Sequence, residues 1–148
     1  MIRKRLPSVD DRSIHRLVVD QLVPFSKFKR AANASATFTE IKKRLNQGTT
    51  FVVAKGLRAP VGFISLLHKS KVLFIDMLAV DPRTQSRGWG KELMRAAEEF
   101  GRARGCHHAE LFVDDSNPKA LQFYMGRGYS TEQYFPDLGC YRMSKPLH

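Results

Sequence analysis

"VLFIDMLAVDPRTQSRGWGKELMRAAEEFGRARGCHHAELFVDD", residues 72–115, contains two apolar runs separated by a glycine-containing turn and a charged segment. The first run is nine residues long and has the composition of a buried strand. The charged segment, residues 90–104, places apolar side chains on one helical face: Leu93, Ala97 and Phe100. The stretch therefore predicts a strand, a surface helix and a second strand, in that order.

The residues after this stretch continue the alternation of helices and strands. Asn117 can cap a second helix, Pro118 suits its first position, and Gly128 suits the residue past its end. Two further strands are predicted, "STEQYF" and "CYRMSKPL". Together with an antiparallel beginning, this order implies an α/β fold with one mixed sheet and helices on both of its faces.

The N-terminal half supplies that antiparallel beginning. The short strand "IRKRL" ends at Pro7 and is followed by a helix that Asp10 or Asp11 can cap. A polar and basic link, "FSKFKRAANASA", leads to another helix, in which Thr37 and Glu40 have the spacing of a capping box. Two strands complete this half, "TTFVVAKG" and "PVGFISLLH". No separating linker is visible, so residues 1–148 are expected to form a single domain.

The composition is ordinary for a soluble globular protein. Of the 148 residues, 43% are hydrophobic and 26% are charged, which excludes disorder along the whole chain. No apolar run approaches the ~18 residues that a membrane span requires. Cys106 and Cys140 are not spaced as metal ligands and are expected to be small buried hydrophobes. These features predict a reduced cytoplasmic protein without a metal.

The formal net charge of +11 indicates either a negatively charged partner or a solvated basic surface without one. Such a field attracts nucleic acid, acidic membranes or a polyanionic ligand. The basic residues are spread along the chain, however, and no nucleic-acid-binding signature accompanies them. A solvated basic surface without a specific partner is the simpler interpretation, so nucleic acid is not the expected partner.

The turn Gln85-Ser86-Arg87-Gly88-Trp89-Gly90 is a candidate anion site between the first strand and the helix. The first turn of a helix leaves backbone N–H groups unpaired, and glycines let an anion approach them without meeting a Cβ atom. The spacings of the nucleotide P-loop and of the dinucleotide fingerprint are both absent. The turn does match Gln/Arg-x-x-Gly-x-Gly/Ala in full. A tight structural turn without a ligand is the alternative.

Residues 74–129 resemble the acyl-CoA-binding core of the GNAT superfamily of N-acyltransferases. The resemblance rests on the strand ending in "LAVDP", the glycine turn, the helix, the strand ending in acidic residues, and "NPKALQFYMGRGY", all in the family's order. It implies a single-domain fold whose mixed sheet is mostly antiparallel with a parallel central pair. It also implies transfer of an acetyl group from the cosubstrate acetyl-CoA to a primary amine.

The resemblance also implies where acetyl-CoA binds. Its pyrophosphate would lie on backbone N–H groups of the glycine turn, and its pantetheine arm would pair with the end of the preceding strand. A backbone N–H there, that of Leu78, would polarise the thioester carbonyl. The implied cofactor-binding set is Leu78, Ala79, Val80, Gln85, Ser86, Arg87, Gly88, Trp89, Gly90, Lys91, Asn117 and Tyr124.

Two residues are candidates for catalysis. Attack of an amine on a thioester needs a base near the amine and an acid for the departing thiolate. Asp76 stands where many family members have Glu; it is either a base acting through a water or a strand charge satisfied by a neighbouring arginine. Tyr124 is either the acid or a core aromatic beside Phe123.

The acceptor amine is not visible in the sequence. In the family it enters between the first two helices and the later strands, here near "FSKFKRAANAS" and "STEQYFPDLG". Lys27, Lys29 and Arg30 would favour an acceptor with acidic groups, although a solvated loop explains them equally well. A protein N-terminus or lysine, an amino acid and an aminoglycoside all stay open as acceptors.

Two other classes of function compete with the enzyme. A non-catalytic basic module would bind nucleic acid or a ribosomal surface, and a sensor would bind acetyl-CoA without turning it over. Salt-sensitive binding to polyanions without thioester turnover would identify the basic module. Because members of the family often pair through exposed strands or helices, a homodimer is also expected.

Overall fold

The computed structural model describes residues 1–26 and 28–148, with every side chain of these except those of residues 29, 85 and 86. Short 3₁₀ helices at Val23–Phe25 and Pro82–Arg87 and a π-helical turn at Val18–Leu22 join its regular elements. Those elements are β1 (Ile2–Lys4), α1 (Pro7–Leu17), α2 (Lys29–Ser35), α3 (Phe38–Leu45), β2 (Thr49–Val53), β3 (Gly62–Lys69), β4 (Val72–Val80), α4 (Trp89–Ala103), β5 (His108–Asp114), α5 (Pro118–Gly126), β6 (Ser130–Phe135) and β7 (Cys140–Pro146).

The strands form one sheet in the order β1-β2-β3-β4-β5-β7-β6. Neighbouring strands are antiparallel except β4 and β5, which are parallel and lie at the centre. A helix, α4, connects this pair, as a parallel crossover requires. The predicted mixed sheet with a parallel central pair is confirmed.

Helices cover both faces of the sheet, and each face has its own apolar core. On one face Leu93 and Ala97 of α4 pack against the inward residues of β3, β4, β5 and β7. On the other face Ile14 of α1 and Ile41 of α3 pack around Phe63 of β3. This confirms the predicted two-sided covering, and it leaves β4 buried between two layers.

Strand β4 carries a bulge at Asp76. In the ladder with β3, Ile75 and Met77 have partners whereas Asp76 between them has none, so Asp76 is an extra residue. One extra residue reverses the alternation of a strand between the two faces of its sheet. Ile75 accordingly lies in the core under α4, whereas Met77 lies in the core under α1 and α3.

Strands β4 and β5 pair over only three residues each. Val72–Phe74 pairs with His108–Glu110, and beyond these residues the two strands, described in full, are not paired with each other. Both strands continue, to Val80 and to Asp114. A gap therefore opens between their carboxyl ends, the place where ligands bind in open α/β sheets.

The first helix begins earlier than the sequence predicts. Neither Asp10 nor Asp11 caps it: α1 starts at Pro7, whose fixed φ suits the first helical position. Both aspartates are buried inside the helix and paired with arginines of the first strand region. Arg3 donates to Asp10 at 2.7 Å, and Arg5 donates to Asp11 at 2.6 Å. These ion pairs, together with a 2.8 Å hydrogen bond from the backbone N–H of Leu6 to Asp10, explain the two acidic residues.

The predicted polar link is wrong for most of its length. "FSKFKRAANASA" contains the end of a 3₁₀ helix and all of α2, because its alanines favour a helix despite the surrounding charges. Lys27 lies outside the described residues, as does the side chain of Lys29, and Arg30 is exposed. The predicted preference of these cations for an acidic acceptor therefore stays a prediction.

The predicted caps of α3 and α5 and the cysteine assignments are confirmed. Thr37 accepts a hydrogen bond from the backbone of Glu40 at 3.2 Å, and Asn117 caps α5 by accepting one from Ala120 at 3.2 Å. Cys106 and Cys140 are free and buried. Among the described residues, no helix is both long enough and apolar enough to span a bilayer.

Candidate functional site

A cleft of about 970 Å³ extends from the gap between β4 and β5. The end of β4 and Phe112 of β5 line its two sides, and the starts of α4 and α5 close one end. Residues between Val18 and Ser26 and between Ala32 and Ala36 also line it. Its size and its mixture of apolar and polar side chains are typical of sites for small molecules and cofactors.

Most of the predicted cofactor-binding residues meet in this cleft, although three separate segments of the chain contribute them. Arg87 and Trp89 are not among the described residues that line it, and the side chains of Gln85 and Ser86 lie outside the description. Trp89 packs instead against the core under α4. The predicted residues that line the cleft are Leu78, Ala79, Val80, Gly88, Gly90, Lys91, Asn117 and Tyr124.

The glycine turn leads from a 3₁₀ helix directly into α4. Gly88 is the cap residue of α4, with φ +77° and ψ 17°, in the left-handed region that favours glycine. An α-helix leaves the N–H groups of its first turn without intrahelical partners, and these N–H groups carry partial positive charge. Lys91 and Lys119 add full positive charges to the same cleft. This end of the cleft is therefore suited to an anion.

The fold itself also favours glycine at both positions of the turn, whether or not an anion binds there. A Cβ atom on Gly90 would lie 3.3 Å from Cζ of Phe123, so the absence of a side chain lets α4 and α5 approach each other. A Cβ atom on Gly88 would meet nothing within 4 Å, but its positive φ is strained for other residues. A larger side chain at either position therefore perturbs folding as well as any bound anion.

Asp76 is held by an ion pair with Arg44 of α3. Arg44 donates from Nε to Oδ2 at 2.7 Å and from Nη2 to Oδ1 at 2.8 Å. These hydrogen bonds and the charge of Asp76 raise the pKa of Arg44, so the guanidinium stays charged. Arg44 is thus the neighbouring arginine required by the alternative interpretation of Asp76, in which Asp76 is a strand charge satisfied by an ion pair. Asp76 nevertheless lines the cleft, two residues before Leu78.

A smaller cavity of about 450 Å³ adjoins this ion pair as well. Arg44, Asp76 and Ser35 line both the smaller cavity and the cleft. The ion pair therefore stands between two neighbouring cavities. The smaller cavity is also lined by Glu40, Lys43, Gln47 and Leu67.

Tyr124 reaches the cleft from α5. Its ring packs against Phe123, with centroids 5.3 Å apart, and against Tyr129 at 6.1 Å. Burial raises the pKa of its phenol to about 12. Tyr124 is therefore protonated at neutral pH and can donate a hydrogen bond to an atom in the cleft. It is at once a packed aromatic and a cleft residue.

The model of the acetyltransferase (GNAT) family matches residues 13–129. The chain belongs to the GNAT family. The match extends well beyond the stretch that carries the resemblance in the sequence, because it includes the end of α1, α3, β2 and β3. GNAT membership thus rests on the sequence of both halves of the chain.

Two curated relatives show how far the likeness extends. An uncharacterized N-acetyltransferase of Methanocaldococcus jannaschii is 32% identical over 113 residues, which are 72% of this chain and 49% of that protein. Streptothricin acetyltransferase of Streptomyces lavendulae is 34% identical over 83 residues, which are 55% of this chain and 44% of that protein. The chain spans about half the length of these curated relatives or less.

Solved structures share the fold over all or about two thirds of the chain. Ard1 from Thermoplasma volcanium covers 100% of this chain and 97% of its own, with a TM-score of 0.79 and 23% identity. Nourseothricin acetyltransferase covers 69% of this chain and 66% of its own, with a TM-score of 0.65 and 26% identity. The first of these likenesses shows the GNAT fold alone.

Several residues that line the cleft of this GNAT domain were not predicted from the sequence. Phe112 had a usable signal: its neighbours Leu111 and Val113 face the core, so strand alternation places Phe112 on the opposite face. Lys119 follows the predicted cap and first position of α5, which also indicated its end of the cleft. Arg44 had no signal, because it meets Asp76 only through the packing of α3 on β4.

Proposed function

We propose that this GNAT domain transfers an acetyl group from acetyl-CoA to a primary amine. The observation that carries the proposal is the single cleft in which the end of β4, the start of α4 and Tyr124 meet. These parts offer a strand edge that β5 does not cover, a helix N-terminus and a phenol. That donor set fits a thioester that carries an amide-containing arm, a pyrophosphate and a thiol leaving group.

The start of α4 binds the pyrophosphate in this proposal. Backbone N–H groups of the glycine turn donate to it, and the absence of side chains at Gly88 and Gly90 lets it approach. Lys91 and Lys119 contribute the matching charge. The pantetheine arm extends along β4 at Leu78, where the strand no longer pairs with β5. Binding therefore uses mostly backbone groups that the fold fixes in place.

Direct attack by the amine is the chemistry that these residues support. Acetyl-CoA supplies the activated acetyl group; the N–C bond forms as the C–S bond breaks. The backbone N–H of Leu78 polarises the carbonyl, and Tyr124 donates a hydrogen bond to the departing thiolate. Asp76 takes the amine proton through a water: Arg44 engages two of the four lone-pair positions of the carboxylate and leaves two for that water.

The proposal is tested by measuring free thiol released from acetyl-CoA with a panel of primary amines, together with the N-acetylated product by mass spectrometry. We expect release that requires an amine and that Tyr124→Phe lowers. Tyr141→Phe removes the same oxygen from a tyrosine of β7 that packs against the core under α4. This variant should leave the release of thiol unchanged. Acetyl-CoA binding without amine-dependent release would contradict the proposal in favour of a sensor. Salt-sensitive polyanion binding without acetyl-CoA binding would favour a basic module.

A further inference from the structure

The guanidinium of Arg44 has two edges that can each bind a carboxylate, and only one of them is bound to Asp76. A guanidinium presents two such edges, Nε with Nη2 and Nη1 with Nη2, and each can hold a carboxylate by two parallel hydrogen bonds. Asp76 occupies the first edge. Within the described part of the chain, Nη1 has no hydrogen-bond partner, and the Arg44 side chain is 43% exposed. Arg44 can therefore hold a second carboxylate without giving up Asp76.

We propose that the open edge of Arg44 binds a carboxylate of the acceptor, so that the acceptor is an amino acid or a similar amine that also carries a carboxylate. This inference rests on the proposed acetyl transfer and specifies its substrate class. Arg44 would act as a specificity-determining residue. The acceptor would lie across the ion pair, with its carboxylate in the smaller cavity and its amine directed into the cleft.

The charges that line the smaller cavity cancel in pairs, so the hydrogen bonds of Arg44 determine which group it binds. Asp76 balances the charge of Arg44, and the exposed Lys43 adds a further positive charge to the wall. Glu40 opposes it, with a carboxylate oxygen 3.8 Å from the Lys43 ammonium, so the Lys43–Glu40 pair is close to neutral. The open fork of Arg44 is then the strongest directional donor that faces the cavity.

The distance along β4 limits the length of the acceptor. Asp76 precedes Leu78, the proposed carbonyl-binding residue, by two positions, which is at most about 7 Å along a strand, because the strand bends at the bulge. The amine must reach the thioester while the carboxylate stays on Arg44. An amine and a carboxylate separated by a few bonds satisfy both contacts, whereas a long polyamine offers nothing to the open edge. The geometry thus favours short amino acids.

Matched acceptors test this inference. 4-Aminobutyrate and its amide, 4-aminobutyramide, have the same length and differ in the charge at one end. For the unaltered protein we expect kcat/KM for the carboxylate to exceed that for the amide by at least about tenfold, the effect of a charge-assisted bidentate pair. Arg44→Gln should reduce this ratio by about 10- to 100-fold. Because the ratio is taken within one variant, loss of folded protein cancels from it.

Arg95→Gln is the matched control, because Arg95 is also half-exposed and paired with a carboxylate, Glu92, but lies on α4 away from both cavities. It should leave the ratio unchanged. Calorimetry with 4-acetamidobutyrate and the CoA-bound protein gives a second readout that needs no turnover: binding should depend on Arg44 and not on Arg95. A ratio near one, or binding that ignores Arg44→Gln, would overturn the inference. Absence of acetyl transfer to every amine would contradict the proposed function instead, while the calorimetry still decides the role of Arg44.

Discussion

Tyr124→Phe removes one oxygen from the cleft and keeps the ring that packs against Phe123 and Tyr129. The size of the effect follows from the pKa of Tyr124, about 12. A thiol such as that of cysteine has a pKa of about 8.5, so full proton transfer from Tyr124 to a thiolate is unfavourable by about 5 kcal/mol. In the proposed transfer, Tyr124 therefore stabilises the thiolate by donating a hydrogen bond, and the proton reaches sulfur from solvent.

A hydrogen bond to a charged group contributes about 1.5–3 kcal/mol, which corresponds to about a 10- to 150-fold loss of kcat in Tyr124→Phe. The assay is steady-state thiol release at saturating acetyl-CoA and acceptor, with the dissociation constant of acetyl-CoA measured by calorimetry. We expect kcat to fall and that dissociation constant to stay within a factor of a few. Tyr141→Phe controls for the loss of a phenol outside the cleft.

Two results would refute this reasoning about Tyr124. A change in kcat below about threefold would leave Tyr124 as a packing aromatic, since it would show no stabilised charge. A loss beyond about 10³-fold with unchanged acetyl-CoA affinity would show that Tyr124 transfers its proton completely, because that size is typical of general acid catalysis. The second result would also contradict the role that a pKa of about 12 assigns to Tyr124.

Four further predictions follow from particular residues. Asp76→Asn should lower turnover at pH 7 and recover part of it at high pH, where the amine is deprotonated in solution; a pH–rate profile of unchanged shape would exclude Asp76 as the base. Gly88→Ala should lower the free energy of unfolding by about 1–2 kcal/mol, because φ is +77° there; urea denaturation equal to the unaltered protein would contradict the strain. Tyr129→Phe removes the 2.9 Å hydrogen bond to the buried Glu98 and should cost about 1–3 kcal/mol by the same assay, with kcat unchanged. Burial and Glu98 raise the pKa of Tyr129, so the stability that its phenol contributes should be present below pH about 10 and be lost above it; a stability curve that is flat to pH 11 would contradict this.

Local patterns predicted the part of the fold that holds the cofactor end of the site. Strand β4, helix α4 and the caps of α5 follow from periodicity and from residues within three positions of each other, such as Asn117 and Ala120. The start of α1 was missed because two rules competed at neighbouring positions. Pro7 at the first helical position prevailed over Asp10 and Asp11, which pair with Arg3 and Arg5 instead.

The pairing of Asp76 with Arg44, on the proposed acceptor side of the cleft, could not be predicted, because it depends on tertiary packing. The bulge at Asp76 has no signal in a single sequence, yet it reverses the facing of the rest of β4. That reversal turns Met77 and Ala79 toward the layer of α1 and α3, the same layer from which Arg44 reaches Asp76. Asp76 was a candidate site residue from the sequence, whereas only the structure identifies Arg44 as its partner.

The most direct test of the central claim, that acetyl-CoA lies in the gap between β4 and β5, is a titration of the uniformly ¹⁵N-labelled protein with CoA, followed by backbone amide NMR. We expect saturable shifts that are largest for the N–H groups of Leu78 and Gly88–Lys91, because these would donate to the pantetheine arm and to the pyrophosphate. Smaller shifts should follow at α5 around Tyr124. Saturable shifts confined to β1–β3 or to the exposed basic surface, with the N–H groups of the glycine turn unmoved, would contradict it.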